Sequence, residues 1–384
     1  MAQEAQVSAI PPGFHQCVLE LQQQAKLAGI SPEVIDDALA NVRYLDKVIG
    51  YDRAQPEFVQ TFPEYFTTRV TTGRIDKGRE LYEKHRGFLR ELTQRYGVPG
   101  AYLISFWGLE TNFGSYKGKM PIIDSLTTLA CDQRRSEYFS RELMQALRLM
   151  DKEEIKGKMM LGSWAGAMGH TQFMPSAYLN YAIDGDQDGK VDLWNSEKDA
   201  LASAANFLQQ LGWKSGFKWG REVTLAADFD YKLAGKDSRQ TVAFWAEHGV
   251  SKADGGALDK VAIKASLVIP SGHSGPAFLL YKNFEVILGW NNSEFYAIAV
   301  GHLADRIGGK APLQKALPDL PKYSLADIKL LQDALNKLGF EVGEADGILG
   351  PATRVGVRDF QASKNMIADG FPDQKVFAAI SALN

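Results

Sequence analysis

The chain has 384 residues, a length that accommodates two or three domains. It is 45% hydrophobic and 23% charged, ordinary for a globular protein, and its formal net charge of -3 gives no electrostatic basis for binding nucleic acid. No apolar run reaches membrane-spanning length, so a soluble chain without a membrane span is expected. The opening residues carry neither a basic n-region nor an apolar h-region, so an export signal is expected to be absent from this sequence. The two cysteines, Cys17 and Cys131, make no metal-ligand pattern; a disulfide and a pair of buried free thiols both stay open. The six histidines are scattered, and no H-E-x-x-H, G-x-S-x-G, P-loop or dinucleotide fingerprint is present.

In chain order, residues 12–50 read as helices, with Ser31-Pro32-Glu33 as a start signal. A polar connection is expected over 51–58, then an aromatic, proline-interrupted stretch, Thr61 to Phe66. Residues 74–96 read as one long amphipathic helix. The next helix opens after Gly97-Val98-Pro99-Gly100 and ends at Asn112 and Gly114. Leu103, Phe106, Trp107 and Glu110 fall at helical spacing on it, which puts a carboxylate on an apolar stripe. Desolvation there is expected to raise its pKa, the condition a general acid needs. A core Glu paired with an Arg fits the same stretch equally well.

Ile122 to Ala130 reads as a further helix leading to Arg134 and Arg135, either a solvated face or a clamp for an anionic group. The block Gly162-Ser163-Trp164-Ala165-Gly166-Ala167-Met168-Gly169-His170-Thr171-Gln172-Phe173-Met174-Pro175-Ser176-Ala177-Tyr178 mixes small residues, hydrogen-bonding groups and apolar walls, as a sugar-binding groove would. A tight packing turn explains its glycines as well. In Asp184-Gly185-Asp186-Gln187-Asp188-Gly189-Lys190, acids at loop positions 1, 3 and 5 and Gly at 6 match a calcium-binding EF-hand loop. Position 12 is Asn195, so Glu197 or Asp199 is expected to close a longer loop. A helix through Ala200 to Leu208 follows. Residues 215–290 alternate and are β-branched, a small β-rich insertion, and a helix from Ala297 to Ile307 closes the region. Proline- and glycine-rich residues 309–322 read as a linker, and 323–384 as a three-helix module without a catalytic constellation.

Three motifs stand in one order: Glu110 in a G-x-E-T-x-[FW]-G context, the Gly166 to Ser176 block, and the Asp184 to Trp194 loop. Together they resemble the B type of lytic murein transglycosylase over roughly residues 12–308. Leu331-Gln332, Leu338-Gly339-Phe340, Asp346-Gly347, Gly350, Thr353, Phe360-Gln361 and Asp369-Gly370 resemble a peptidoglycan-binding module. The resemblance implies a mainly α (α+β) chain. It has a lysozyme-like helical core, an N-terminal helical region, the β-rich insertion and the C-terminal module, with 1–308 as the catalytic region. It implies non-hydrolytic cleavage of the MurNAc-GlcNAc β-1,4 bond to 1,6-anhydro ends, with Glu110 as single acid and then base. Water-using glycosidases normally need a second carboxylate; for a hydrolytic muramidase Asp124 and Asp132 are the candidates. A non-catalytic wall-binding scaffold is the alternative of a different class.

The resemblance further assigns substrate contacts to Ser163, Gln172, Tyr65, Arg134, Arg135, Asn291 and Tyr296, with Trp290 and Phe207 standing where some relatives have tyrosine. Structural Ca2+ would be held by Asp184, Asp186, Asp188, the Lys190 carbonyl and Asp199 over the loop 184–199, with no organic cofactor. Peptidoglycan glycan strands are the implied partner, other cell-wall enzymes are further candidates, and the implied compartment is the periplasm.

Overall fold

The computed structural model describes residues 10–53, 60–153 and 155–382. Three helices open the chain, α1 (Phe14–Leu27), α2 (Pro32–Leu39) and α3 (Asp46–Arg53). Ser31 caps α2, its Oγ accepting the Val34 amide at 3.4 Å. Tyr51 to Arg53 finish α3 rather than starting the expected connection, whose remainder lies outside the described residues. In α4 (Phe62–Arg69) Thr61 and Glu64 form a capping box and Pro63 sits in the first turn, where a missing amide is harmless. The single helix expected over 74–96 is two, α5 (Thr72–Lys84) and α6 (Arg86–Tyr96). The break falls at His85, which is buried edge-on to Trp107 with its Nε2 3.0 Å from Glu197.

Then come α7 (Gly100–Thr111), β1 (Met120–Pro121), α8 (Ile122–Ala130), α9 (Ser136–Glu153), β2 (Leu161–Gly162), α10 (Pro175–Tyr181) and α11 (Glu197–Gln210). The insertion holds β3 (Gly220–Leu225), β4 (Gly235–Thr241), α12 (Val242–Glu247), β5 (Val250–Lys252), β6 (Lys264–Val268) and β7 (Ala277–Leu280). They form an antiparallel sheet of order β4-β6-β7-β3-β5. The stretch expected to stay β-rich to 290 turns helical at α13 (Lys282–Trp290), where Asn283, Phe284, Val286 and Ile287 bury one face. The closing helix α14 (Glu294–Ile307) starts three residues earlier than expected because the Ser293 hydroxyl caps it at the Tyr296 amide. The C-terminal module is α15 (Leu325–Lys337), α16 (Pro351–Ser363) and α17 (Gln374–Ser381).

The chain divides into two compact units, residues 1–55 with 81–210, and 56–80 with 211–384. In the first, α7 is the central helix, packed by α6 and α11, while α9 packs on α8 and α10. Leu103, Ile104, Phe106 and Trp107 are almost fully buried. Cys17 on α1 and Cys131 after α8 form a disulfide with Cα atoms 5.9 Å apart, which decides the open cysteine question.

In the second unit α4 packs on α14, and the sheet buries Val223, Trp245, Leu267 and Leu279. The module repeats one device. Gln332 Nε2 donates to Asp346 Oδ1 while its Oε1 accepts the Gly347 amide; Gln361 does the same with Asp369 and Gly370. That is the physical content of the paired Gln and Asp-Gly motifs. The expected linker is strapped to β3: the Gln314 and Lys315 amides each donate to a Glu222 oxygen at 2.8 Å.

Candidate active site

Glu110 lies on the last turn of α7, and the expected apolar stripe of Leu103, Phe106 and Trp107 is buried, though burial is not confined to it. Gly100, Tyr102 to Gly108 and Thr111 are all buried, so the helix is apolar on every face and Glu110 is partly buried at its end. Asn112 caps it with φ 49°.

Around this end the chain is tied by hydrogen bonds between residues far apart in sequence. Thr111 Oγ1 donates to the His170 carbonyl at 2.8 Å and accepts the Gly114 amide at 2.9 Å. Trp107 Nε1 donates to His170 Nδ1 at 2.9 Å. Burial and the nearby Lys117 push the His170 pKa down to about 4, so at neutral pH the ring is uncharged and Nδ1 is free to accept. The His170 amide in turn donates to the Leu193 carbonyl at 2.8 Å. Lys117 Nζ reaches the Trp194 carbonyl at 2.6 Å. The helix carrying Glu110, the Gly162 to Tyr178 block and the exit of the acidic loop are thus one bonded body.

The glycines of that block serve the protein's own packing, not ligand approach. A Cβ on Gly162 would stand 2.1 Å from the Ala167 carbonyl oxygen, and one on Gly169 (φ +68°) 2.3 Å from that of Leu193. Tyr178 is likewise structural: it is buried and its hydroxyl donates to the Val191 carbonyl at 2.7 Å. Ser163 Oγ accepts the amides of Ala165 and Ala167 at 3.3 and 3.0 Å, which leaves its proton to donate. Gln172 spends its Nε2 on the carbonyls of Lys117 (3.2 Å) and Gly169 (2.9 Å), which leaves Oε1 as an acceptor. Phe207 stacks on Tyr181 at 4.6 Å and meets Phe173 edge-on.

Arg134 and Arg135 both reach the buried Asp52. Arg134 Nη1 donates to Asp52 Oδ2 at 2.6 Å, and Arg135 Nη2 bonds Oδ1. Asp124 and Asp132 are committed too, the first to Arg43 at 2.8 Å and the second to Arg53 at 3.2 Å. In the second unit, Tyr65 is buried on α4 against Phe295, Tyr296 is buried on α14, Trp290 ends α13 partly buried, and Asn291 is exposed just after it.

The side chains of Asp184, Asp186 and Asp188 bring one oxygen each within 4.8 Å of one another. Asp184 organises the loop, accepting the Gln187 amide at 2.6 Å and the Gly189 amide at 2.8 Å, and Gly189 takes the left-handed conformation (φ 90°). Asp199 is not among these three. It is buried, and its oxygens go instead to the amides of Gly185 (2.8 Å) and Asp192 (2.7 Å). Glu197 is turned toward Lys84 and His85. A cluster of hard oxygen donors in this loop fits a calcium ion.

The profile of the transglycosylase SLT domain matches residues 13–305, and that of a peptidoglycan binding domain matches 324–380. The chain belongs to the transglycosylase SLT family. It is a peptidoglycan lytic transglycosylase by class. It is 28% identical over 291 residues to the membrane-bound lytic murein transglycosylase B of Escherichia coli, covering 73% of this chain and 79% of that protein. Among solved structures it is similar to SltB3 from Pseudomonas aeruginosa in complex with NAG-anhNAM-pentapeptide. That likeness has a TM-score of 0.91 at 39% identity, and covers 97% of this chain and 100% of that one. It is also similar to an Escherichia coli lytic transglycosylase in complex with calcium, with a TM-score of 0.65 at 27% identity, covering 80% of this chain and 98% of that one. Among the described residues no helix is long and apolar enough to cross a membrane.

Sequence reasoning assigned no role to Trp107, Thr111, Lys117 or His170, which hold the Glu110 helix end to its neighbours. Their partners lie up to 77 residues away, so no local pattern carries the signal.

Proposed function

We propose that Glu110 is the single general acid and base of non-hydrolytic cleavage at the MurNAc-GlcNAc β-1,4 bond. The observation that carries this is the place of Glu110: the partly buried end of a helix that the Thr111–His170 and Trp107–His170 bonds hold rigid. Glu110 gives its proton to the leaving O4 as the bond from C1 to O4 breaks. The C6 hydroxyl of the same muramic sugar then bonds to C1, and its proton passes to Glu110. No water enters, so no second carboxylate is required. Asp124 and Asp132 are each occupied by an arginine, in keeping with that chemistry.

The Ser163 hydroxyl proton and the Gln172 Oε1 suit N-acetyl and hydroxyl contacts. The family resemblance is the support for substrate contacts at Tyr65, Trp290, Asn291, Tyr296 and Phe207, and Arg134 and Arg135 offer guanidinium edges beyond Asp52. Asp184, Asp186 and Asp188 with the Lys190 carbonyl would hold a structural Ca2+, with Asp199 positioning the loop around it. The disulfide supports an oxidising compartment, and with a peptidoglycan substrate that is the periplasm. Residues 1–308 form the catalytic region and 323–384 the wall-binding module.

Purified sacculi, digested and read by mass spectrometry, test the assignment. Wild type should release muropeptides lighter by one water than hydrolytic products, and Glu110→Gln should lose at least about a hundredfold in rate while still binding sacculi. Reducing ends, or a variant that still cleaves, would overturn it.

A further inference from the structure

At one end of the five-stranded sheet the second unit holds a cavity of about 300 Å³, the lower end of the range for small-ligand sites. Arg221 on β3 shares a face with Val223, and Tyr281, just after β7, shares one with Leu279, so both stand where the buried face of the sheet meets the cavity. Phe217, Val261 and Ile263, all exposed, form an apolar rim beside Lys218. Hydrogen bonds fix both segments of that rim. Asn283, fully buried on α13, donates to the carbonyls of Lys214 (2.9 Å) and Phe217 (2.8 Å) and accepts the Lys214 amide at 2.8 Å. The Ile263 and Val261 carbonyls accept the amides of Val242 (2.8 Å) and Ala243 (3.2 Å) at the start of α12. The cavity is therefore formed in advance, and filling it costs little loop ordering.

Two polar groups on its wall lack partners. Tyr281 is 6% exposed, and its hydroxyl is buried with no hydrogen-bond partner. The Nε of Arg221 is buried and unpartnered as well. The guanidinium lies over the tyrosine ring, 5.6 Å from its centroid, so the two side chains touch without joining Nε to the hydroxyl. A buried tyrosine hydroxyl normally finds a partner, and two buried donors without one are costly unless a ligand supplies the acceptor. Burial raises the Tyr281 pKa, so the phenol keeps its proton and can donate. Asp259, the acid among the lining residues, is exposed and makes its ion pair with Lys252 at 3.8 Å, not with Arg221.

We propose that this cavity binds a small carboxylate with an apolar body, a single ring or a branched chain. The Tyr281 hydroxyl and the Arg221 Nε donate to the carboxylate, Arg221 and Lys218 offset its charge, and Phe217, Val261 and Ile263 cover the body. Two adjacent donors match the two oxygens of a planar carboxylate, whereas the apolar rim would strip water from a phosphate without replacing its hydrogen bonds. The site lies within the insertion and uses none of the residues assigned to glycan cleavage, so it is a second ligand site on the chain.

The test titrates the full chain calorimetrically with 3-phenylpropionate and with its uncharged amide. Wild type should bind the acid at least about tenfold tighter than the amide, the difference expected for one charge-assisted hydrogen bond. Arg221→Gln should cut that preference to about twofold or less. Tyr281→Phe, which removes only the oxygen, should weaken binding of the acid about fivefold with Tm unchanged or raised, because a buried hydroxyl without a partner stabilises nothing. No saturable binding of either probe would mean that water serves the two donors, and would overturn the proposal. So would equal affinity for acid and amide, a tenfold preference that survives Arg221→Gln, or a Tyr281→Phe variant that binds unchanged or melts lower. The first comparison is made on unaltered protein and needs no variant to fold. Neither probe contains a glycosidic bond, so the outcome is independent of the role of Glu110.

Discussion

Removing the Cys17–Cys131 bond gives the sharpest stability test. The bond joins α1 to the end of α8 across 114 residues, so it forbids a very large closed loop from opening in the unfolded chain. The chain-entropy expression for that loop gives about 5 kcal/mol at 25 °C. Both cysteines lie in the first unit, of roughly 185 residues, for which an unfolding entropy near 2.1 cal/mol/K per residue converts this to a fall of about 12 °C in Tm. The assay is thermal unfolding of wild type, with and without reductant, beside the Cys17→Ser/Cys131→Ser double variant. Reduced wild type and the variant should melt together, well below the oxidised protein. A shift under about 2 °C would refute the loop-entropy reasoning, since it would mean the unfolded chain was never constrained by the link.

What could be read in the sequence was what neighbouring residues decide. Ser31 announces α2, and α8 follows from its own apolar spacing. The repeated Gln and Asp-Gly signals of the module are visible because each clamp closes within 15 residues. Where longer contacts decide, the reading fell short. Nothing near His85 marks it as a helix break; the residues it packs against there, Trp107 and Glu197, lie elsewhere in the chain. The glycines at 162 and 169 look like room for a ligand until the carbonyls of Ala167 and Leu193 are found against them. Trp107 counts only as an apolar position in a pattern, yet its N–H is what aligns His170. The candidate acid was therefore legible and the scaffold that positions it was not.

The acidic loop should respond to calcium. With the affinity common in extracellular modules, about 0.5 mM, 5 mM Ca2+ adds roughly 1.4 kcal/mol of stability. Asp188→Asn should abolish the resulting rise in Tm without lowering the metal-free Tm, and an unchanged Tm on calcium addition to wild type would exclude the site. Thr111→Val leaves the Gly114 amide without its hydroxyl acceptor and the His170 carbonyl without its donor, and should cost about 2 kcal/mol. Because these bonds position the Glu110 helix end, kcat on sacculi should fall at least about tenfold with KM little changed; a lowered Tm with intact kcat would make the pair merely structural. The last prediction concerns pH. His170 and His302 are both held near pKa 4 by burial, against about 6.5 when unfolded. Above pH 6.5 neither form binds the proton and stability is flat from this source. Between 6.5 and 4 the unfolded chain binds more protons, so stability falls on acidification, by at most about 3 kcal/mol for buried His170 alone, and below 4 the slope vanishes again. Protonating Nδ1 also breaks the bond from Trp107, so activity should fail as the imidazole finally titrates. Proton NMR of the imidazole ring reads the midpoint directly. A His170 midpoint near 6.5 would mean that the ring is solvated and the link from the Glu110 helix to the Gly162 to Tyr178 block is not made in solution.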